Sequence, residues 1–452
     1  MPVALQIILS AVLSLPFTLM DAWTAAADAR LDARLKAIRD AGDPVTMAEL
    51  ARLYPEPPKG QNAADFYKAA FQKMDELAEL PANQQALLPI VGTAELPDPD
   101  LGLPPAMLAA IHDYLKANAE ALDLLRKAAA LDACKFELDF TKGPGMLLPH
   151  LAKLRQGARL LALEAIERTE SAKPDDAAQS LVADLRIGQA VAAEPILISS
   201  LVRIACDAIA VGQVERWASR AKPSDQALQR LQAQLAANAA PRVIERAMVG
   251  ERCFGIDIYQ NYVLQPKGPE LMGALGMGDG PPAILLRAIP SAYFKSDMIW
   301  YLDIMNRYVD AARKPYPENF QLGDRLRVDI DQAIPKYYVV SRMILPALSR
   351  VFTTGQTHVA RCETARVGLA VLRRRVKHGQ LPKDLNALVP AYLDRVPLDP
   401  FDGKPLRYRK DADGFVVYTL GENGKDDAGD TERREGKQPD VGFRVRWPKA
   451  MF

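Results

Sequence analysis

The residues with the clearest chemical potential lie near the C-terminus. Asp426, Asp427 and Asp430 place carboxylates close together along the chain. Carboxylate oxygens are hard donors, and this density suits calcium if nearby carbonyls complete a shell of about six to eight oxygens. Lys425, Arg433 and Arg434 share the run, so its alternative reading is a solvated acidic loop. A second set is His358 and Cys362, four apart on an expected helix with Glu363 following. Two ligands on one face are half of a zinc site, and no second pair accompanies them. Glu245 and Glu251 are acidic candidates for an enzyme site, although nothing near them in sequence pairs with them. H-E-x-x-H, the G-x-S-x-G elbow and the kinase motifs are absent. A Ser-His-Asp triad assembled in space leaves no such trace.

These residues need elements to hold them, and composition says of what kind. Hydrophobic residues make up 49% of the 452-residue chain and charged residues 25%, enough for a sizeable core. Lys plus Arg (57) nearly balances Asp plus Glu (56), which gives no reason to invoke nucleic acid. Cys134, Cys206, Cys253 and Cys362 form no C-x-x-C pair and read as separate small core residues.

Residues 21–352 read as helix after helix. Thr46 with Glu49 is a capping box. Phe66, Ala70, Met74 and Leu77 form one expected stripe, and Pro105 to Leu131 reads as a single helix. Ala172-Lys173-Pro174 is echoed by Ala221-Lys222-Pro223, each restarting a helix. Two copies suggest a repeat-like body without establishing a solenoid. Val191 to Val211 is very apolar, yet Glu194, Arg203 and Asp207 make it a poor membrane span. Residues 250–290 are rich in Gly, Met and Pro and read as a long functional loop. The aromatics Tyr293, Phe294, Trp300, Tyr301 and Tyr308 fit one helical face.

Met1 to Met20 contains no charged side chain. A run of this length, roughly 20 residues, spans a bilayer or forms the apolar part of an export signal. Residues 1–20 are therefore expected to be an anchor or signal, which places the protein in the cell membrane, the periplasm or outside the cell.

Residues 353–452 change character. A helix from Thr357 to Lys377 ends at His378-Gly379, with Gly in the usual stop position. Pro397, Pro400 and Pro405 punctuate an extended crossing. Leu406 to Arg409 and Phe415 to Leu420 flank an Asp-Gly turn, a hairpin signal. Val441, Phe443, Val445 and Trp447 alternate with other residues as a third strand should. With Leu381-Pro382, Asp399-Pro400-Phe401 and Gly421 to Gly424, these last hundred or so residues resemble the globular domain of the type II secretion major pseudopilin. The resemblance implies a long helix, a small antiparallel sheet and an acidic calcium loop. In that family an apolar assembly helix directly precedes the module, whereas Met343 to Arg373 is too polar for one.

The expected fold is mainly α: a multi-helix, repeat-like body followed by a small α+β module with a three-stranded antiparallel sheet. The expected function is a membrane-anchored or exported helical scaffold with a protein partner and a calcium-binding module. Its competitor is a hydrolase-type enzyme with a site between the body and the 250–290 loop, using Glu245 and Glu251.

Overall fold

The computed structural model of the chain describes residues 17–77, 80–99, 101–239, 244–265, 289–348, 350–432 and 439–448. The chain is mainly helical, at 63%, with a small three-stranded antiparallel sheet near the C-terminus. Of the expected anchor, residues 1–16 lie outside the described part.

The first described helix, α1 (Phe17–Asp40), buries Ala27, Leu31, Leu35 and Ile38, spaced as one face of a helix requires. That face packs on a later helix, and exposed ion pairs such as Arg34 with Asp303 at 2.7 Å flank the seam. The Thr46/Glu49 capping box forms as expected and starts α2 (Met47–Arg52). In α3 (Ala63–Asp75) the buried face is Ala63, Ala64, Tyr67, Ala70 and Phe71. The predicted stripe was rotated, because Phe66 is 37% exposed and Leu77 38%. The expected helix from Pro105 to Leu131 is two helices, α4 (Pro105–Ala117) and α5 (Ala119–Ala129). Between them Asn118 leaves helical geometry and its side-chain amide donates to the Tyr114 carbonyl at 2.9 Å. Asn competes for backbone partners in this way, which disfavours it in helix interiors.

The two Ala-Lys-Pro segments join α6 (Pro149–Glu170) to α7 (Pro174–Gln189) and α8 (Leu197–Arg220) to α9 (Asp225–Asn238). The turns differ in detail. Pro174 is the first residue of α7, whereas Pro223 precedes the cap Ser224 of α9. They nevertheless lie together: the Ser224 N–H donates to Asp175 Oδ1 at 3.0 Å and Trp217 Nε1 donates to the Pro174 carbonyl at 2.8 Å. Length and apolarity alone would let α8 cross a membrane. It is instead the centre of the body, packed against α6 and α7, with Arg203, Asp207 and Arg216 buried along it.

The stretch from 250 is not a loop at its start. Residues 245–257 form α10 (Glu245–Asp257), which continues through a π turn to Val263. Gly250 and Gly255 serve close packing there. A Cβ on Gly250 would meet the Pro195 carbonyl oxygen at 1.8 Å, and one on Gly255 would meet the Tyr301 hydroxyl at 2.0 Å. Residues 266–288 lie outside the described part. Of the aromatics of α11 (Ser291–Arg313), Tyr293, Phe294, Tyr301 and Tyr308 are buried in the core as expected, and Trp300 is half-buried against it. Two further helices, α12 (Glu318–Ala333) and α13 (Val339–Ile344), lead to α14 (Val351–His378).

Helix α14 is the pillar between the body and the sheet. Val351, Phe352 and Val359 join the core built by α1, α10 and α11. Its second half joins a core shared by α7, α8, α9 and the sheet, including Leu181, Trp217, Leu231, Leu369, Phe415 and Phe443. The boundary expected between residues 352 and 353 is therefore not a break in packing. Strands β1 (Arg407–Asp411), β2 (Gly414–Thr419) and β3 (Val441–Arg446) pair in that order. Phe443 lies on the backbone of α14 at Gly368, where a Cβ would stand 2.2 Å from its ring. The free edge of β3 is covered by α8. Glu215 Oε1 accepts the Arg444 N–H at 3.3 Å and Ser219 Oγ accepts the Arg446 N–H at 3.2 Å. An edge satisfied by side chains offers no row of donors to another strand.

Candidate functional site

The Asp399-Pro400-Phe401 turn is built around one carboxylate. Asp399 is fully buried, and its Oδ1 accepts the Phe401 N–H at 2.7 Å. Its Oδ2 accepts the Leu420 N–H at 2.9 Å and meets Arg407 Nη1 at 2.6 Å. Burial raises the carboxyl above its ordinary range, and the two backbone donors and Arg407 oppose that rise. Arg407 also holds Asp402 at 2.6 Å and approaches Asp426 at 3.4 Å. One guanidinium thus ties the turn to the acidic loop.

In that loop Asp426 Oδ1 accepts the Ala428 N–H at 2.9 Å and Asp430 Oδ1 accepts the Glu432 N–H at 3.2 Å. Asp427 Oδ2 accepts from the Asn423 amide at 3.4 Å. Sequence reasoning did not place Asp440 among the site residues, yet it closes the loop. Its two oxygens accept the N–H groups of Asp427 at 3.3 Å and Gly429 at 2.8 Å. Burial raises the Asp440 carboxyl, and the charges of Asp426 and Asp427 raise it further. The backbone N–H groups of Gly429 and Asp427 oppose that rise. In the geometry described, Asp426 and Asp430 spend an oxygen on backbone donors, while Arg409 and Arg444 take the carbonyls of Ala428 and Gly429. Among the described residues no three His, Cys, Asp or Glu side chains converge as a metal's ligands would.

His358 and Cys362 are brought together with Asp207, far away in sequence. Cys362 Sγ lies 3.9 Å from His358 Nδ1, and His358 Nε2 lies 3.5 Å from Asp207 Oδ2 and 3.0 Å from the Asn238 carbonyl. The order Cys, His, Asp resembles a nucleophile set, but every member is buried. Burial pushes His358 down to about 3, Asp207 up to about 7 and the Cys362 thiol well up. A neutral thiol beside a base too weak to take its proton is the opposite of an activated cysteine. Glu363 turns elsewhere and pairs with Arg366 at 2.7 Å.

A second buried knot joins Glu194 to Ser199 at 2.5 Å and to His150 at 2.9 Å. The serine donates to the carboxylate and not to the histidine, so the serine–histidine contact of a triad is not made. Glu245 faces Arg313 at 3.4 Å. Glu251 accepts the Leu197 N–H at 3.3 Å, and burial raises its carboxyl to about 7. The two glutamates have separate partners and do not converge.

Solvent reaches the site region through a polar cleft of about 990 Å³. Helix α12 and the start of α14 form one wall, and the Asp399 turn with residues 421–424 forms the other. No protein-family model, curated protein or solved structure matches this chain.

Proposed function

We propose that this chain is a scaffold or interaction protein, membrane-anchored or exported through residues 1–20, with a pseudopilin-like module built into its helical body. One observation carries the reading. The sets that resemble catalytic machinery, Asp207–His358–Cys362 and Glu194–His150–Ser199, are sealed inside the body. The wide opening at the joint between body and module is lined by polar groups suited to binding. Catalysis needs a nucleophile and base within reach of a bound substrate. Glu245 and Glu251, the candidates for a hydrolase, engage separate partners instead.

The resemblance to the pseudopilin module is supported by the order of its parts: a long helix, the Leu381-Pro382 lead-in, the Asp399 turn, two strands, an acidic loop closed by Asp440, and the third antiparallel strand. Calcium binding by that loop is a second reading, supported by the closeness of Asp426, Asp427 and Asp440, with the last accepting the N–H groups of Asp427 and Gly429. Binding would require Asp426 and Asp430 to leave their backbone partners.

Fractionation of tagged full-length protein tests the anchored or exported state. The expected result is protein in the membrane or exported fraction, with deletion of residues 1–20 leaving it in the cytosol. A cytosolic pool of the intact chain overturns the proposal.

A further inference from the structure

We infer that the cleft between α12, the start of α14 and the Asp399 turn is a docking groove for an acidic peptide segment of a partner protein; this rests on the interaction-protein reading and names the partner's chemistry. The charges lining the cleft do not all cancel locally. Asp324 is paired with Arg327 at 3.1 Å, and Asp402 with Arg407 at 2.6 Å. Arg325 and Arg350 are exposed on the body wall, and neither guanidinium has a hydrogen-bonded or ionic partner among the described residues. Glu422, on the opposite wall, is the one acidic lining residue left without a cation there. The unmatched charge is thus positive and concentrated on one side.

Guanidinium groups recognise carboxylates through paired N–H donors, and two of them side by side favour a ligand with more than one carboxylate. Neutral polar groups flank them, Gln321 and Thr353. The N-terminal end of the 28-residue helix α14 lies on the same wall and adds the positive end of its dipole. At about 990 Å³ the cleft is at the upper limit of small-molecule pockets, roughly 300–1,000 Å³, and has room for a peptide. On the far wall, between Phe401, Asp402 and Glu422, Gly424 presents no side chain and has open space around its Cα, so a peptide backbone can approach there. A basic segment would meet Arg325 and Arg350 unshielded, which sets the sign of the preference.

The test is fluorescence anisotropy of the full-length protein in detergent, titrated against a labelled Glu-Gly repeat peptide and a Lys-Gly repeat peptide. The acidic peptide is expected to bind and to weaken on going from about 50 to about 500 mM salt, as exposed charge contacts do. The double variant Arg325→Gln/Arg350→Gln should weaken it by about tenfold or more, the scale of two lost charge-assisted contacts. Glu422→Gln should leave binding unchanged or tighter. Both arginines are exposed, so the variant is expected to keep the wild-type melting temperature. Equal binding of the basic peptide, or an unaltered affinity in the folded double variant, overturns the inference. The two proposals fail separately: a membrane-bound chain that ignores the acidic peptide sinks only the ligand class, and a cytosolic chain that binds it sinks only the anchor.

Discussion

Burial raises several carboxyls to about 7, Asp207 and Glu215 among them, and the share that belongs to Glu251 can be isolated by one substitution. Burial raises its carboxyl to about 7 from the ordinary carboxylate range, against a single opposing backbone N–H. A raised folded value means the native state binds the proton more tightly than the unfolded chain. The contribution to stability is present below the unfolded value and is lost as pH rises through about 7. Glu251→Gln keeps an acceptor for the Leu197 N–H and cannot ionise. Its melting temperature relative to wild type should therefore improve between pH 5 and pH 8. A constant difference across that range would contradict this assignment. His358 has the opposite sign: held down to about 3, it withdraws stability as pH falls below its ordinary value. The Glu251→Gln comparison isolates the Glu251 contribution because both proteins share His358, Asp207 and Glu215.

At the scale of elements, the α14–β3 contact is a close-packed joint. Adding a methyl group at Gly368 forces the Phe443 ring away, and overpacking of this kind costs about 1–3 kcal/mol. Gly368→Ala should lower the denaturant midpoint accordingly, although alanine is the better helix former; an unchanged or raised midpoint would show that the ring moves freely. The acidic loop makes a separate prediction. If it binds calcium, millimolar calcium raises the melting temperature of the full-length protein through preferential binding to the native state, and Asp427→Ala removes the shift. No shift against a chelator control would remove calcium from the account. What the sequence revealed at this scale was local. The Thr46 capping box, the Asp413-Gly414 turn and the alternation of β3 depend on neighbouring residues, and all can be read without the fold. Asp440 could have been included, since it lies just before a strand that closes the acidic run. Glu215 and Ser219 on α8 could not: they meet β3 from the other half of the chain, and nothing local marks them. Gly250 and Gly255 misled because glycine required for helix packing has the same composition as glycine in a loop. The Asp207–His358–Cys362 cluster was half visible as two residues on one helix. Its aspartate and its sealed environment come from packing of α8 against α14.

At the scale of the molecule, the account rests on continuity between the body and the sheet. The second half of α14 shares one core with α7, α8, α9 and all three strands, and α8 satisfies the edge of β3. Continuous cores of this kind melt together, because neither side retains a buried face without the other. The cleft and the acidic loop then inherit the rigidity of the body. The most direct measurement is differential scanning calorimetry of the full-length protein alongside the Phe443→Ala variant, which removes a buried ring worth about 3–5 kcal/mol. The account predicts that the body's helical transition and the sheet's transition shift down together in the variant. A sheet transition that moves alone, while the helical transition stays at its wild-type temperature, would contradict it.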